Sequence, residues 1–290
     1  MYQIVLSVKG RFIRKIRRFR GGFGFLSSYI EQNLDSHYPN SGNWQPSSKQ
    51  LLRSVNQFHN QIIEILKTQN LFEFIEIFKI DQDNIDKIKY LNKLFNEYGS
   101  DKAVNGYSEI YVAILEESRQ NLTDNAPISI LEVGIGTNNP NVPSNMGARG
   151  KPGASLRAFR DFDSKIECIG FDIDSSILFQ ENRIRTFEVD QQNLKNYLHV
   201  MSYYKSNWPI LFIDDGLHSP YANINSLLCF IKLSNRNSYL VIEDISKRSE
   251  EIWDLINSVI SSEEFRVWKY ISLLGGTAIV IKNIGEKQIV

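Results

Sequence analysis

"PILFIDDGLHSPY", residues 209–221, carries an apolar run into Asp214 and Asp215, then a glycine, then His218 three positions past the second acid. "YLVIEDI", 239–245, ends a second apolar run in Glu243 and Asp244. Unbroken apolar runs of this length are the pattern of strands buried on both faces. "ISILEVG" (128–134), "IECIGFDID" (166–174) and "IRTFEVD" (184–190) have the same texture, the first with Glu132 near its end and the other two finishing in acids. Between them lie "GASLRAFRDF", "QNLKNYLHVMSYY", "YANINSLLCFIKL" and "SEEIWDLINSVI", all apolar at helical period. Such alternation predicts a parallel sheet with helices on each side. The end differs: "EFRVWKYISLLGGTAIVIKN" (264–283) has two alternating runs around Gly275 and Gly276, the signature of a β-hairpin.

Upstream of Pro127 the chain reads as helical. "SSKQLLRSVNQFHNQIIEILKTQ" (47–69), "NIDKIKYLNKLFNEYG" (84–99) and "YSEIYVAILEESRQNL" (107–122) each keep helical spacing, the second stopping at Gly99. His37 and His59 in this region read as surface or packing residues. The first twenty residues hold seven basic residues and no acid, with Phe12, Ile16, Phe19 and Phe23 near helical spacing and "GGFG" as a stop. That is either a helix lying on an anionic membrane surface or one packed on a neighbouring domain or subunit. Two domains are expected: a helical auxiliary region over 1–95 and an α/β domain over 96–290.

Composition sets bounds. The chain has 290 residues, 42% hydrophobic and 23% charged, with a formal net charge of zero. No global charge bias points to nucleic acid. Cys168 and Cys229 sit in apolar segments and read as core residues of a reducing compartment rather than a disulfide framework, and two cysteines are too few for a cysteine-ligated zinc cluster. No apolar run spans a bilayer and no signal peptide opens the chain, so a cytoplasmic protein is expected, with residues 1–20 as its candidate membrane contact.

Acids at successive strand ends describe one edge that binds a ligand. Gly134 and Gly136 follow the first strand, where small residues let backbone approach a ligand. Asp172 can accept from ribose hydroxyls and Asp190 can meet an adenine edge. The loop from Gly136 to Ser155 is too long for a pyrophosphate-binding turn, which favours S-adenosylmethionine over a dinucleotide. The two acid-tipped strands are expected to be neighbours. Asp215, Glu243 and Asp244 then converge, and their repulsion calls for a divalent cation such as Mg²⁺, Mn²⁺ or Ca²⁺. His218, one short loop away, is the type of side chain that takes a proton near neutral pH.

"LEVGIGT", "GASLRAFRDF", "GFDID", "VDQQN", "FIDDGLH" and "VIEDI" together resemble the metal-dependent sugar O-methyltransferases that include the mycinamicin and macrocin enzymes. "YGSDKAVNGYSEIY" (98–111) resembles a segment ahead of the core in that group. The long glycine- and proline-rich loop is similar to that of bacterial class I methyltransferases associated with cell-surface polysaccharides. The likeness runs over about residues 97–283, with Leu217 where the macrolide enzymes more often have serine. It implies a Rossmann-like methyltransferase fold, a mostly parallel seven-stranded sheet with a C-terminal antiparallel hairpin. It implies Asp215, Glu243 and Asp244 as ligands of Mg²⁺ or Mn²⁺ and His218 as general base. Around S-adenosylmethionine it implies Glu132, Gly134, Asp172 and Asp190. Gly136, Ser155, Gln191 and Asp214 complete the expected cofactor set, Asp214 either touching the cofactor or orienting its loop. The expected activity is O-methylation of a sugar or glycan hydroxyl by a homo-oligomer. A catechol-type methyltransferase, a metal-dependent hydrolase and a membrane-surface assembly module are the alternatives.

Overall fold

The computed structural model describes residues 60–68, 75–78, 80, 84–122, 126–204, 208–247, 249–260 and 264–285. The basic stretch at 1–20, the "GGFG" stop, His37 and His59 lie outside the described residues. The chain divides into two compact units, Met1–Phe72 and Glu73–Val290. In the first, 60–68 is helical, within the stretch where periodicity places a helix. The division falls ahead of the helix Ile85–Tyr98, which lies in the second unit. Among the described residues no helix is long and apolar enough to cross a membrane.

In the second unit the helices are α1 (Ile85–Tyr98), α2 (Lys102–Asn105), α3 (Ser108–Asn121), α4 (Ala154–Phe162), α5 (Leu194–Ser202), α6 (Pro220–Leu233) and α7 (Glu250–Ile260). The strands are β1 (Glu76–Ile77), β2 (Ile128–Val133), β3 (Ile166–Asp172), β4 (Gln180–Glu181), β5 (Ile184–Glu188), β6 (Leu211–Asp214), β7 (Tyr239–Ile242), β8 (Phe265–Ile271) and β9 (Thr277–Asn283). They form one sheet in the order β1-β8-β9-β7-β6-β2-β3-β5-β4. The seven strands from β8 to β5 are the expected sheet, parallel from β7 to β5 with β9 antiparallel to both β7 and β8. The edge strands β1 and β4 are new, since two residues carry no readable period.

The apolar runs are unbroken because each strand feeds two cores. Alternate side chains leave a strand on opposite faces. Ile130, Leu211, Ile213, Tyr239 and Val241 join the core under α1, α3 and α4. Leu131, Phe212, Leu240 and Ile242 join the core under α5, α6 and α7. α1 buries Ile88, Leu91, Leu94 and Phe95 on one stripe and stops where Gly99 turns to a φ of 85°, as its sequence requires.

The strand order reverses beside β2, which pairs with β3 on one side and β6 on the other. Loops leaving the carboxyl ends of strands diverge at such a point and open a crevice.

Candidate functional site

A cleft of about 580 Å³ occupies that crevice, and Glu132, Asp172, Asp190, Asp215 and Asp244 line it. Gly134 makes the turn after β2 possible. Its φ is +83°, and a Cβ there would sit 2.1 Å from the backbone oxygen of Asp215, so no side chain fits. Glu132 is fully buried and accepts a hydrogen bond from the Ser155 hydroxyl through Oε2. Its Oε1 lies 3.1 Å from Lys102 Nζ, an ion pair without hydrogen-bond geometry, so this acceptor stays open to a donor entering the cleft.

Asp172 lines the cleft from the tip of β3. Its Oδ2 accepts from Ile135 N at 3.0 Å and its Oδ1 from Asp174 N at 3.0 Å. It therefore braces the glycine turn while each oxygen keeps a lone pair for a ligand. Burial raises its pKa, against the backbone donors that favour the ionised form. Asp190 lines the cleft two residues past β5 and accepts from Gln192 N at 2.9 Å. Gly136 and Ser155 line it too.

Gln191 lines the cleft as well, and together with Asp214 it braces the neighbouring loop. Asp214 is fully buried and is not among the described residues that line the cleft. Its Oδ1 accepts from Gln191 Nε2 at 2.8 Å and Gly216 N at 3.3 Å, its Oδ2 from Asn223 Nδ2 at 3.2 Å. Gln191 Oε1 in turn accepts from Leu217 N at 3.1 Å. The Asp214–Gln191 pair thus holds the loop between β6 and α6, the loop that carries Asp215 and His218. The reason is strand parity. Asp214 follows Phe212 onto the α6 face of the sheet, whereas Asp215 follows Ile213 onto the other.

By the same parity Glu132, Asp215 and Glu243 share one face, and there the structure holds a residue that sequence reasoning passed over. Lys102, 1% exposed, donates from Nζ to Asp215 Oδ2 at 2.7 Å and to both oxygens of Glu243 at 2.8 Å. Burial works against its charge, but Asp215, Glu243 and Glu132 outweigh it and hold its pKa well above the ordinary lysine value. Burial raises the pKa of Asp215 and of Glu243, with Lys102 opposing in both. A protein cation therefore already sits among the carboxylates for which a metal alone was expected.

Glu243 is 2% exposed beneath this cluster and is not among the described residues lining the cleft. At the cleft surface the converging groups are Asp215, His218 and Asp244, whose ligand atoms lie within 4.8 Å of one another. His218 Nε2 stands 3.9 Å from Asp215 Oδ1 and 3.7 Å from Asp244 Oδ2, too far for a hydrogen bond to either. Asp244 adopts a left-handed φ of 54°, uncommon outside glycine. Tyr107 supports it, its hydroxyl donating to Asp244 Oδ1 at 2.8 Å and accepting from Asp244 N at 3.0 Å. Two carboxylates at this spacing suit a divalent cation, with the His218 imidazole beside them.

Lys102 and Tyr107 both come from "YGSDKAVNGYSEIY". The sequence marks that segment only by its flanking glycines, Gly99 and Gly106, whose φ of 85° and 78° turn the backbone on either side of the short helix Lys102–Asn105. A Cβ at Gly106 would meet the Ser272 side chain at 2.0 Å, so the segment packs directly on the β8–β9 turn.

The sequence matches no family model and no curated protein. The structure is similar to MycE methyltransferase from the mycinamycin biosynthetic pathway in complex with Mg and SAH, with a TM-score of 0.53 at 19% identity. That match covers 69% of this chain and 56% of MycE, so the chain spans little more than half the length of its structural relative. A second MycE structure, with Mg, SAH and mycinamycin VI, matches with a TM-score of 0.52 at 19% identity over 68% of this chain and 54% of the other. The fold is a Rossmann-like methyltransferase fold.

Proposed function

We propose that this chain is a divalent-cation-dependent S-adenosylmethionine O-methyltransferase acting on a hydroxyl of a sugar or glycan. The observation that carries it is one cleft lined both by the β2 glycine turn with Asp172 and by the trio Asp215, His218 and Asp244. Glu132 offers a buried open acceptor there, a fit for the amino group of the cofactor. Asp172 fits the ribose hydroxyls, and Asp190 the adenine side. Asp215 and Asp244 would hold Mg²⁺ or Mn²⁺, with Glu243 behind them. A bound cation would supply Lewis acidity to a coordinated hydroxyl, and S-adenosylmethionine the electrophilic methyl group.

The chain's own residues do the rest. The Asp214–Gln191 pair and Tyr107 fix Asp215 and Asp244, so little reorganisation is left for the reaction. His218, 31% exposed at the cleft, takes the proton from the acceptor hydroxyl. Closely placed vicinal hydroxyls, as on a sugar, match two carboxylates presented side by side. Orientation then contributes most of the rate.

Calorimetry with S-adenosylmethionine tests the cofactor. The wild-type protein should bind it. Asp172→Ala should bind more weakly by about 1–3 kcal/mol, because ribose hydroxyls lose an acceptor. Wild-type affinity in a folded Asp172→Ala protein would remove Asp172 from the site, and no binding by the wild type would end the methyltransferase reading. A methyl-transfer screen over nucleotide sugars and cell-surface glycans identifies the acceptor.

A further inference from the structure

Lys102 is the feature that the proposed chemistry does not use. It is buried, charged and surrounded by Glu132, Asp215 and Glu243, with Asp244 on the adjoining strand tip. Removing an ammonium from water is costly, and attraction to one carboxylate rarely does more than offset it. Here one ammonium faces more carboxylates than it can neutralise. The cluster is over-supplied with negative charge on the side that faces the cleft.

Geometry divides the work. Lys102 occupies both oxygens of Glu243 but only Oδ2 of Asp215. Asp215 Oδ1 is left on the side of His218 Nε2, and Asp244 Oδ2 lies on that side as well. The other oxygen of Asp244 is taken by Tyr107. One oxygen of each outer aspartate is thus tied down from beneath, and the second faces the histidine.

We propose that Lys102 is a positioning residue: the resident counter-ion that holds Asp215 and Glu243 together, so that Asp215 and Asp244 present their remaining oxygens to a divalent cation. The segment 98–111 is then the floor of the cation site rather than a linker ahead of the domain. Its lysine makes the acid cluster foldable before a cation arrives, and its tyrosine fixes the backbone of Asp244.

This rests on the divalent-cation reading of the site, and the two fail separately. The experiment is thermal unfolding of the full chain with EDTA and with saturating Mn²⁺, for wild type, Lys102→Met and Lys102→Arg. In EDTA, Lys102→Met should melt lower by on the order of 10 °C, since a buried carboxylate pair loses its partner. Mn²⁺ should recover much of that loss, so its stabilising increment should be larger for Lys102→Met than for wild type. Lys102→Arg should recover part of the loss without metal. A lysine serving only to pack the fold would lower both curves equally and leave the Mn²⁺ increment unchanged, and that result overturns the proposal. So does a Lys102→Met protein that melts with the wild type in EDTA. If the single variant does not fold, Lys102→Met/Glu243→Gln removes an acid along with the ammonium and should fold, with Glu243→Gln alone completing the cycle. Failure of the double variant to regain stability also overturns the proposal. If wild type gains nothing from Mn²⁺, the cation reading falls. The same cycle in EDTA then still decides whether Lys102 holds Glu243.

Discussion

His218→Ala is expected to lower methyl-transfer turnover by roughly 10²–10⁴ while leaving Mn²⁺ and S-adenosylmethionine affinities close to those of the wild type. The separation follows from geometry. The ring is not hydrogen-bonded to Asp215 or Asp244, at 3.9 and 3.7 Å, so its loss leaves both carboxylates where Lys102, Tyr107 and the loop bonds hold them. It lines the cleft, where the proposed acceptor hydroxyl would enter. A base acts only on the reacting proton, so its removal falls on turnover. A third cation ligand would behave differently: Mn²⁺ affinity, read by EPR of the free ion, would fall in parallel with turnover. Near-normal turnover across about pH 6 to 9 would assign proton removal to another group.

The strands were legible because burial on both faces leaves a simple trace, an unbroken apolar run with a polar end. "LFID" is such a run, "YLVI" meets its acids at the next residue, and "ISILEV" departs only at Ser129 and Glu132; each is a strand whose residues alternate between two cores. The glycine turn and the aspartate at the tip of β3 were legible for a related reason, since backbone at a strand end must turn. Pairing within the acids was harder to read. Asp214 and Asp215 are one residue apart and lie on opposite faces, and only the strand's parity separates the loop brace from the cluster acid.

Lys102 was not legible at all from local pattern. Its partners lie 113 and 141 residues away. A lysine after "GSD" looks like any solvated helix start until the sheet brings Glu132, Asp215 and Glu243 to the same point. Repulsion among the strand-tip acids requires positive charge there, and Lys102 supplies part of it. Long-range charge compensation leaves no local sequence period, whereas amphipathic burial does, which is why the framework of the site was readable and its floor was not.

Chelation should abolish methyl transfer, and added Mg²⁺ or Mn²⁺ should restore it. Lys102 brings one positive charge to a cluster of Glu132, Asp215, Glu243 and Asp244, so the lysine alone leaves the aspartates at the cleft under-neutralised. Asp215→Asn keeps the shape of the side chain and removes its charge. The cation concentration for half-maximal rate should rise by roughly 10–100-fold or more, the range reported for groups that only support a metal ligand. Asp244→Asn should act similarly, since its free oxygen faces the same point. Glu243→Gln discriminates further. Both its oxygens are engaged by Lys102, though each retains a lone pair. A rise as steep as that for Asp215→Asn places Glu243 on the cation with Lys102 beside it, whereas a shallow rise leaves Glu243 to the lysine. An acceptor without the neighbouring hydroxyl should be methylated poorly, because it can meet the cation through only one oxygen. Full activity in EDTA, from protein shown to contain no metal, would sink this mechanism and leave Lys102 as the counter-charge of the strand-tip acids among the described residues.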